Sequence, residues 1–445
     1  MISGLFSPET NNNMLRINLF VFILTAIAYL IGIYFFPFML PSRDVLHQVW
    51  VISGVVTWIL MTEAIVIAAR PSWIERVAGE PLGKLMQAHK TLGWWMVGFA
   101  FIHFFAPFVR DIITAFYPVV EVPMMAGHAI HGFWVYSHPI AGLTGILVSL
   151  YMLSVIWRDI KHAKKKISWP KWEKVHLMWA WMYIFLAFHA LRTLKETELM
   201  MPLGWVTTIA AILGVWASVN IIRGRKGSAM RYDGALDSIK ADGGVLQLDV
   251  KTELADTIGP GRFVYLSRPG DKEDSHPFAV AGADKKTGLL TFWIKEAGEW
   301  TKNLALMKAG DTIYVEGPWG AFFPKFIPGK TAAWVAGGAG IAPFLGWMEE
   351  LKRDKEAGKP VPSITLWWSV KNRSEGGFER VETLCRELGI DLRVHETGEN
   401  HDHLEPETVL AEHPATLAVC GRPGLTKAFK AAWKGAPENL TSEVY

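Results

Sequence analysis

The sequence has little cysteine, with only Cys385 and Cys420 among its 445 residues. Two thiols are too few for an iron–sulfur cluster or a Cys-rich zinc site. Both lie in the half that the charge pattern below assigns to the cytoplasm, where structural disulfides are rare.

The Ser, Cys and carboxylate arrangements of hydrolytic enzymes are also not evident. The basic run 161–166 suits a membrane surface, so no nucleic-acid partner is expected.

Acidic residues are scarce in the first half of the chain. Residues 1–228 hold 19 Lys and Arg against 11 Asp and Glu, whereas residues 229–445 hold 26 against 31. Half of all residues (51%) are hydrophobic, the mean hydropathy is +0.20, and 21 residues are Trp. This composition excludes a disordered chain and is unusual for a soluble protein. The split predicts two different parts joined in one chain.

The first half contains apolar stretches long enough to cross a bilayer, which takes about 20 helical residues. Six such stretches lie near residues 17–39, 47–69, 89–109, 138–157, 173–191 and 201–222. Six buried helices of a soluble bundle would each need a polar face, which these stretches lack. The first stretch has no small-residue cleavage site, so we interpret it as a retained span and not as a signal peptide. The lipid bilayer is therefore an expected partner.

Basic residues predict the orientation of these spans. With the N-terminus inside, the inner segments hold 15 Lys and Arg and the outer loops hold only Arg43, Arg110, Arg192 and Lys195. The pattern predicts a multi-pass protein of the cell membrane with both termini in the cytoplasm.

Four histidines lie inside two of these spans, where an ionisable side chain indicates a function. His89 and His103 are fourteen residues apart in the third span, and His176 and His189 are thirteen apart in the fifth. Since odd-numbered spans run in the same direction, His89 can face His176, and His103 can face His189. Two imidazole pairs at two depths match the axial ligands of two stacked b-type haems. A thirteen-residue spacing turns an ideal helix about 140° off a shared face, so the fifth span must be distorted or the haems offset.

The second half changes to short strand-like runs separated by Gly, Pro and Asp turns, such as 244–250, 262–267, 289–294 and 312–320. This rhythm predicts a small antiparallel barrel. From Lys330 onward, strands alternate with helices, which is typical of a parallel α/β domain. The glycines of the turn that begins at Gly337 let backbone amides approach a pyrophosphate.

Ordered motifs then reveal a resemblance: His276-Pro277-Phe278, Gly298-x-Trp300-Thr301, Gly317-Pro318-Trp319-Gly320, Gly337-Gly338-x-Gly340-Ile341-x-Pro343 and Cys420-Gly421-x-Pro423. Together with the paired histidines, the sequence resembles the NADPH oxidase and ferric reductase family from about residue 45 onward. The resemblance implies a multidomain membrane protein with three domains. These are an all-α six-helix transmembrane bundle (1–228), an antiparallel β-barrel FAD domain (229–327) and an α/β NAD(P)H domain (328–445).

The resemblance also implies roles for single residues. Residues His276 to Ala279 are expected to line the flavin, with Trp300 nearby, and Gly298 and Thr301 to hold the FAD pyrophosphate. The turn Gly337–Ile341 with Pro343, and Gly421 with Pro423, are expected to receive the nicotinamide nucleotide. Cys420 is expected beside the nicotinamide ring, and Tyr445 on the flavin. The family usually has Thr or Ser where this chain has Ala279, and its oxidases tend to have His where this chain has Pro107.

These parts imply an electron path from cytoplasmic NAD(P)H through FAD and two haems to an acceptor outside. Lys371 and Arg373 suit a 2′-phosphate and favour NADPH over NADH. A ferric chelate is the expected acceptor because of Pro107, and molecular oxygen, reduced to superoxide, is the alternative. A haem membrane subunit that feeds a dedicated protein partner is the rival from another class.

Overall fold

The computed structural model describes Ile27 and Ile31 and residues 45–116, 133–163, 169–194, 199–270, 275–373, 376–398 and 403–444. The chain divides into two compact units, Met1–Gly227 and Ser228–Tyr445. The finer division into three domains stays a prediction.

The regular secondary structure in the described residues of the first unit is entirely helical. Its helices are α1 (Val45–Ala69), α2 (Ile74–Ala78), α3 (Leu82–Phe116), α4 (Phe133–Ala163), α5 (Trp169–Leu177), α6 (Trp179–Thr193) and α7 (Pro202–Ile222). In the described part of the chain, four segments are long and apolar enough to cross a membrane: Gln48–Ala69, Leu82–Ile113, Pro139–Arg158 and Pro202–Ile222. The span predicted at 17–39 lies outside the described residues, apart from Ile27 and Ile31.

The surface and the polar side chains of these helices suit an apolar solvent. Large hydrophobic side chains are exposed along α3, α4 and α7, among them Phe101, Phe108, Ile112, Leu150, Ile209 and Ile212. Hydroxyl groups inside the helices donate to the carbonyl one turn back, as Thr57 does to Ser53, Thr207 to Leu203 and Ser149 to Gly145. Such local bonds satisfy a hydroxyl where water is absent.

The predicted fifth span is not one continuous helix, because it is interrupted at Met178 between α5 and α6. The Met178 amide donates to the Val175 carbonyl at 3.1 Å, and the Trp181 amide donates to the Met178 carbonyl at 3.0 Å. Both bonds join residues three apart, so the chain here is wound more tightly than an α-helix. A distorted span is one of the two alternatives that the thirteen-residue histidine spacing predicts.

The second unit begins with a closed antiparallel barrel, as the short strand-like runs predict. Its neighbours follow the order β1-β2-β5-β4-β3-β6. The strands are β1 (Arg231–Asp242), β2 (Val245–Thr252), β3 (Phe263–Ser267), β4 (His276–Asp284), β5 (Leu289–Lys295) and β6 (Thr312–Trp319), and the short helix α8 (Glu299–Leu304) follows β5. Alternate side chains fill the barrel, as in β2, where Leu246, Leu248 and Val250 are buried.

A parallel five-stranded sheet follows, in the order β11-β10-β7-β8-β9. Its strands are β7 (Ala332–Gly337), β8 (Ile364–Val370), β9 (Asp391–Glu396), β10 (Thr416–Gly421) and β11 (Leu440–Val444). Its helices are α9 (Ala342–Glu356), α10 (Phe378–Leu388), α11 (Pro406–Leu410) and α12 (Pro423–Ala432). The chain leaves β7 toward β8 and later returns to β10 on the other side of β7. The carboxyl ends of β7 and β10 therefore form the switch point at which open α/β sheets bind ligands.

Candidate functional site

The four membrane histidines form two facing pairs. The ring centroids of His89 on α3 and His176 on α5 are 5.9 Å apart, with an interplanar angle of 73°. Those of His103 on α3 and His189 on α6 are 6.3 Å apart, at 89°. The structure therefore brings together the same partners that the parallel direction of the two spans indicates.

Three of these rings are held by backbone carbonyl groups of neighbouring helices. The Nδ1 atoms lie 3.0 Å from the Ala64 oxygen for His89, 2.9 Å from the Trp50 oxygen for His103 and 2.7 Å from the Ala141 oxygen for His189. Because a carbonyl oxygen only accepts, each Nδ1 carries the hydrogen, and each Nε2 presents its lone pair. This is the neutral tautomer in which histidine binds a metal.

The outer rings fit into notches left by two glycines. A Cβ atom on Gly54 would lie 2.6 Å from Cε1 and Nδ1 of His103, and one on Gly145 would lie 2.6 Å from Cε1 of His189. Gly54 is one helical turn beyond Trp50, and Gly145 one turn beyond Ala141. Each notch is therefore adjacent to the carbonyl that accepts the imidazole hydrogen bond.

His176 differs from the other three histidines. Its ring stacks on Trp172 at 4.7 Å and 18°, and its Nδ1 is buried with no hydrogen-bond partner among the described residues. It lies on the last turn of α5, two residues before the break at Met178. The inner pair thus has one fixed ring and one ring whose second nitrogen is unsatisfied.

The residues fit haem iron better than a bare metal ion. Two imidazoles that bind one ion from opposite sides, with bonds of about 2 Å as measured for zinc, have ring centres about 6 Å apart. Both pairs have that separation. Among the described residues, no group of three or more His, Cys, Asp or Glu is placed so that it could hold a metal ion. Each pair offers two nitrogen donors, the number of axial ligands that a haem iron takes, so the pairs suit a haem, whose macrocycle would supply the remaining ligands.

A buried aromatic cluster lies between the two pairs along the helices. Tyr183 on α6 is fully buried and stacks on Trp58 of α1, with ring centroids 4.6 Å apart. Its hydroxyl lies 2.6 Å from Thr62 Oγ1 and donates to the Ala210 carbonyl at 2.9 Å. Gly214 of α7 has no Cβ, which leaves the space that the Tyr183 ring fills. These contacts join α1, α6 and α7, and the sequence motifs did not indicate them.

In the second unit, two of the sequence motifs meet at Trp300. The centroid of its ring lies 4.5 Å from that of His276 and 5.7 Å from that of Phe278, and the Arg268 guanidinium lies 5.7 Å away. Pro277 pairs with Tyr265 of β3, and Ala279 pairs with Phe263. His276, Phe278 and Trp300 therefore lie together beside the start of β4.

The Thr301 hydroxyl is engaged within its own loop. It accepts from the amides of Ala297 at 3.0 Å and Gly298 at 3.1 Å, and it donates to the Gly298 carbonyl at 3.0 Å. The side chain therefore fixes the backbone ahead of α8.

The candidate nucleotide residues converge at the switch point of the sheet. The turn Gly338–Ile341 follows β7, and Pro343 lies at the start of α9.

A Cβ atom on Gly340 would overlap the Cys420 carbonyl at the end of β10, and Gly337 lies against Gly421. Pro423 then begins α12. Glycine is required at Gly340 because β10 approaches the turn so closely.

Cys420 is buried at this junction, and burial raises the pKa of its thiol well above the ordinary value. It is therefore a neutral group that packs in the site, not a thiolate. In the parallel register, Glu443 of β11 lies opposite Cys420, and it reaches toward the barrel near Gly320. The motifs did not indicate Glu443, although it lies two residues before the noted C-terminal aromatic. Tyr445 lies outside the described residues.

Lys371 and Arg373 follow the carboxyl end of β8, beside the glycine turn. Arg373 is not isolated, because it forms ion pairs with Glu396 and Glu382.

Comparisons with known proteins agree with this geometry. A family model described as the ferric reductase like transmembrane component matches residues 53–187, which include His89, His103 and His176. A heavy chain of the superoxide-generating NADPH oxidase of Dictyostelium discoideum is 22% identical over 303 residues, covering 60% of this chain and 41% of that protein. Residues 53–187 therefore form a ferric reductase like transmembrane component, and the chain as a whole resembles a ferric reductase and NADPH oxidase type fusion. It is a membrane oxidoreductase.

A second relative is a different kind of protein. The probable dihydroorotate dehydrogenase B (NAD(+)) electron transfer subunit of Methanopyrus kandleri is 37% identical over 200 residues, covering 38% of this chain and 74% of that protein. The chain therefore also carries a module of the kind found in these electron transfer proteins. Among solved structures, flavohemoglobin from Malassezia yamatoensis with bound FAD and heme has a TM-score of 0.47 at 15% identity, covering 90% of this chain and 97% of that one.

Proposed function

We propose that this oxidoreductase carries electrons from NAD(P)H, through FAD and two b-type haems, to an acceptor on the opposite face of the cell membrane. The observation that carries the proposal is the two facing imidazole pairs on α3 and α5–α6, three of whose rings are held in the ligating tautomer. His89 and His176 would hold the inner haem, and His103 and His189 the outer one.

The second unit supplies the sites for the electron donor. FAD, when bound, takes a pair of electrons from a nicotinamide and releases them one at a time, as a haem requires. His276, Phe278 and Trp300 would line the flavin beside the start of β4. The loop that Thr301 fixes would present backbone amides to the pyrophosphate. The turn at Gly337–Gly340 would cradle the nicotinamide nucleotide at the switch point of the sheet.

The positions of the charges support a placement in the membrane. Six spans with both termini in the cytoplasm would put the basic residues inside, 15 Lys and Arg against four in the outer loops. The second unit would then face cytoplasmic NAD(P)H, and the His103–His189 pair would lie nearer the outer face.

A ferric chelate is the acceptor that we propose. Pro107 lies inside α3 one turn beyond His103, where it offers no imidazole near the outer haem. The alternative acceptor is molecular oxygen, which the name of the Dictyostelium relative favours. The rates of reoxidation by air and by a ferric chelate distinguish the two acceptors.

The test is the absorption spectrum of the detergent-purified full chain, before and after anaerobic addition of NADPH and of NADH. The proposal requires two haems of b type and one FAD per chain, with the haem bands reduced by at least one nucleotide. Air and a ferric chelate are then added separately, and the faster reoxidation identifies the acceptor. A protein that binds flavin but no haem would contradict the proposal. A haem that stays reduced with every small acceptor would favour a subunit that feeds a protein partner.

A ligand variant tests the assignment of the outer haem. His189→Leu should lower the haem content from two per chain to one, because the outer pair loses a ligand, while nucleotide-to-dye activity remains. Phe185→Leu on the same helix is the matched control, since that side chain is exposed. Full haem content in His189→Leu would show that the ligand assignment is wrong.

A further inference from the structure

The segment after β8 is fixed beside the glycine turn. The Trp368 indole donates to the Gly338 carbonyl at 3.0 Å, and its ring stacks on Phe378 at 4.4 Å. The Arg373 guanidinium in turn lies 6.0 Å from the centre of the Phe378 ring. These contacts place Arg373 on the side of the turn where a Rossmann-type site binds the adenosine ribose.

The same segment is bonded to the residues that follow β9. The Thr397 amide donates to the Val370 carbonyl at 2.8 Å, and the Gly398 amide donates to the Lys371 carbonyl at 3.0 Å. Glu396 pairs with Val370 in the strand register. The loop that carries Arg373 therefore has a defined position, and a carboxylate from β9 lies next to it.

Two carboxylates already surround the arginine. Arg373 Nε lies 3.3 Å from Glu396 Oε1, and its terminal nitrogen Nη1 lies 3.8 Å from Glu382 Oε1 on α10. All three side chains are about half exposed, so each ion pair contributes little to stability. Their effect is on local charge, because the two carboxylates neutralise the guanidinium between them and offset the positive charges of Arg373 and Lys371 together.

That charge determines which nucleotide fits. A 2′-phosphate brings about 1.5 to 2 negative charges at pH 7 and would meet two carboxylates. A free 2′-hydroxyl is neutral and can donate a hydrogen bond to a carboxylate. We propose that Glu396 and Glu382 select NADH over NADPH at this site, which reverses the preference that Lys371 and Arg373 suggest in the sequence alone.

This inference rests on the proposed nucleotide site, and one experiment separates the two. Full-length protein in detergent is mixed anaerobically with NADH or NADPH, and kcat/KM is measured for each with ferricyanide as acceptor. We expect NADH to be favoured at least tenfold. Preference for NADPH would overturn the inference and leave the proposed function intact, whereas no reaction with either nucleotide would overturn both.

Variants test the carboxylates directly. Glu396→Gln and Glu382→Gln should each raise kcat/KM for NADPH at least fivefold without raising it for NADH, because each removes a negative charge from the phosphate position. Glu387→Gln is the matched control on α10, since Glu387 pairs with Lys352 at 2.8 Å, and its nucleotide preference should stay within twofold of the wild type. If both glutamine variants lower the NADPH value instead, the carboxylates position Arg373 for a phosphate, and the inference is wrong. Flavin content and Tm are measured on every variant and identify any variant that fails to fold. If one glutamine variant fails, the wild-type nucleotide preference and the other glutamine variant test the inference.

Discussion

The glycine notches make a sharp prediction about the outer histidine pair. Replacing Gly54 or Gly145 by Ala would put a methyl group 2.6 Å from the ring of His103 or His189, where ordinary contacts begin at 3.4 Å. The ring must therefore move by roughly 1 Å, and overpacking of this size costs about 1 to 3 kcal/mol. The hydrogen bond from Nδ1 to the Trp50 or Ala141 carbonyl is strained by the same movement, and loss of such a bond lowers metal affinity roughly 10- to 100-fold.

Both notches belong to the outer pair, so the inner pair is an internal control. We expect Gly54→Ala and Gly145→Ala to lose the outer haem or to shift its midpoint potential and EPR signal, while the inner haem is unchanged. Gly142→Ala on α4 and Gly98→Ala on α3 are matched controls, because no described group outside the helix's own backbone lies within 4 Å of a Cβ atom at either position. Haem content, a potentiometric titration and the EPR spectrum are measured on all four variants. Two unaltered haems in Gly145→Ala would refute the reasoning, whatever the change in Tm.

Three further predictions concern the second unit and the acceptor. Gly340→Ala should slow flavin reduction at least tenfold at unchanged haem content, because a Cβ there overlaps the Cys420 carbonyl; Gly424→Ala, with open space at its Cβ, should not. Thr301→Val should weaken FAD binding about tenfold, since the loop loses three hydrogen bonds, and Thr301→Ser should retain it; equilibrium dialysis or flavin fluorescence measures both. Pro107→His should speed reoxidation by oxygen relative to Pro107→Ala, if an imidazole one turn beyond His103 assists oxygen; equal rates in stopped-flow would contradict this.

The sequence predicted the features that depend on strong local signals. Four histidines in otherwise apolar spans indicated two imidazole pairs, because an ionisable group in such a span is costly. Short strand-like runs at close spacing, such as those that form β2 and β5, indicated a barrel, and the structure confirms a closed antiparallel one. The glycine turn after β7 was recognisable because a strand, a turn and a helix follow one another along the chain.

Contacts between distant segments could not be predicted in this way. The carbonyls that hold the imidazoles belong to α1 and α4, and no local motif identifies them. Glu396 lies 23 residues from Arg373 and becomes its neighbour only because β8 and β9 pair in parallel. The break at Met178 has no proline or glycine to announce it, so only the thirteen-residue spacing pointed to a distortion.

The geometry of α1 explains how one bundle can hold two imidazole pairs in line. His89 bonds to Ala64 and His103 to Trp50, so the two acceptors on α1 are fourteen residues apart, as are the two histidines on the antiparallel α3. An α-helix rises about 21 Å over fourteen residues. The segment α5–α6 has only thirteen residues between its histidines, but a tightly wound turn rises about 2.0 Å per residue instead of 1.5. About three such residues at Met178 restore a rise of about 21 Å. The interruption therefore compensates for the missing residue and lets both imidazoles of this segment meet their partners on α3.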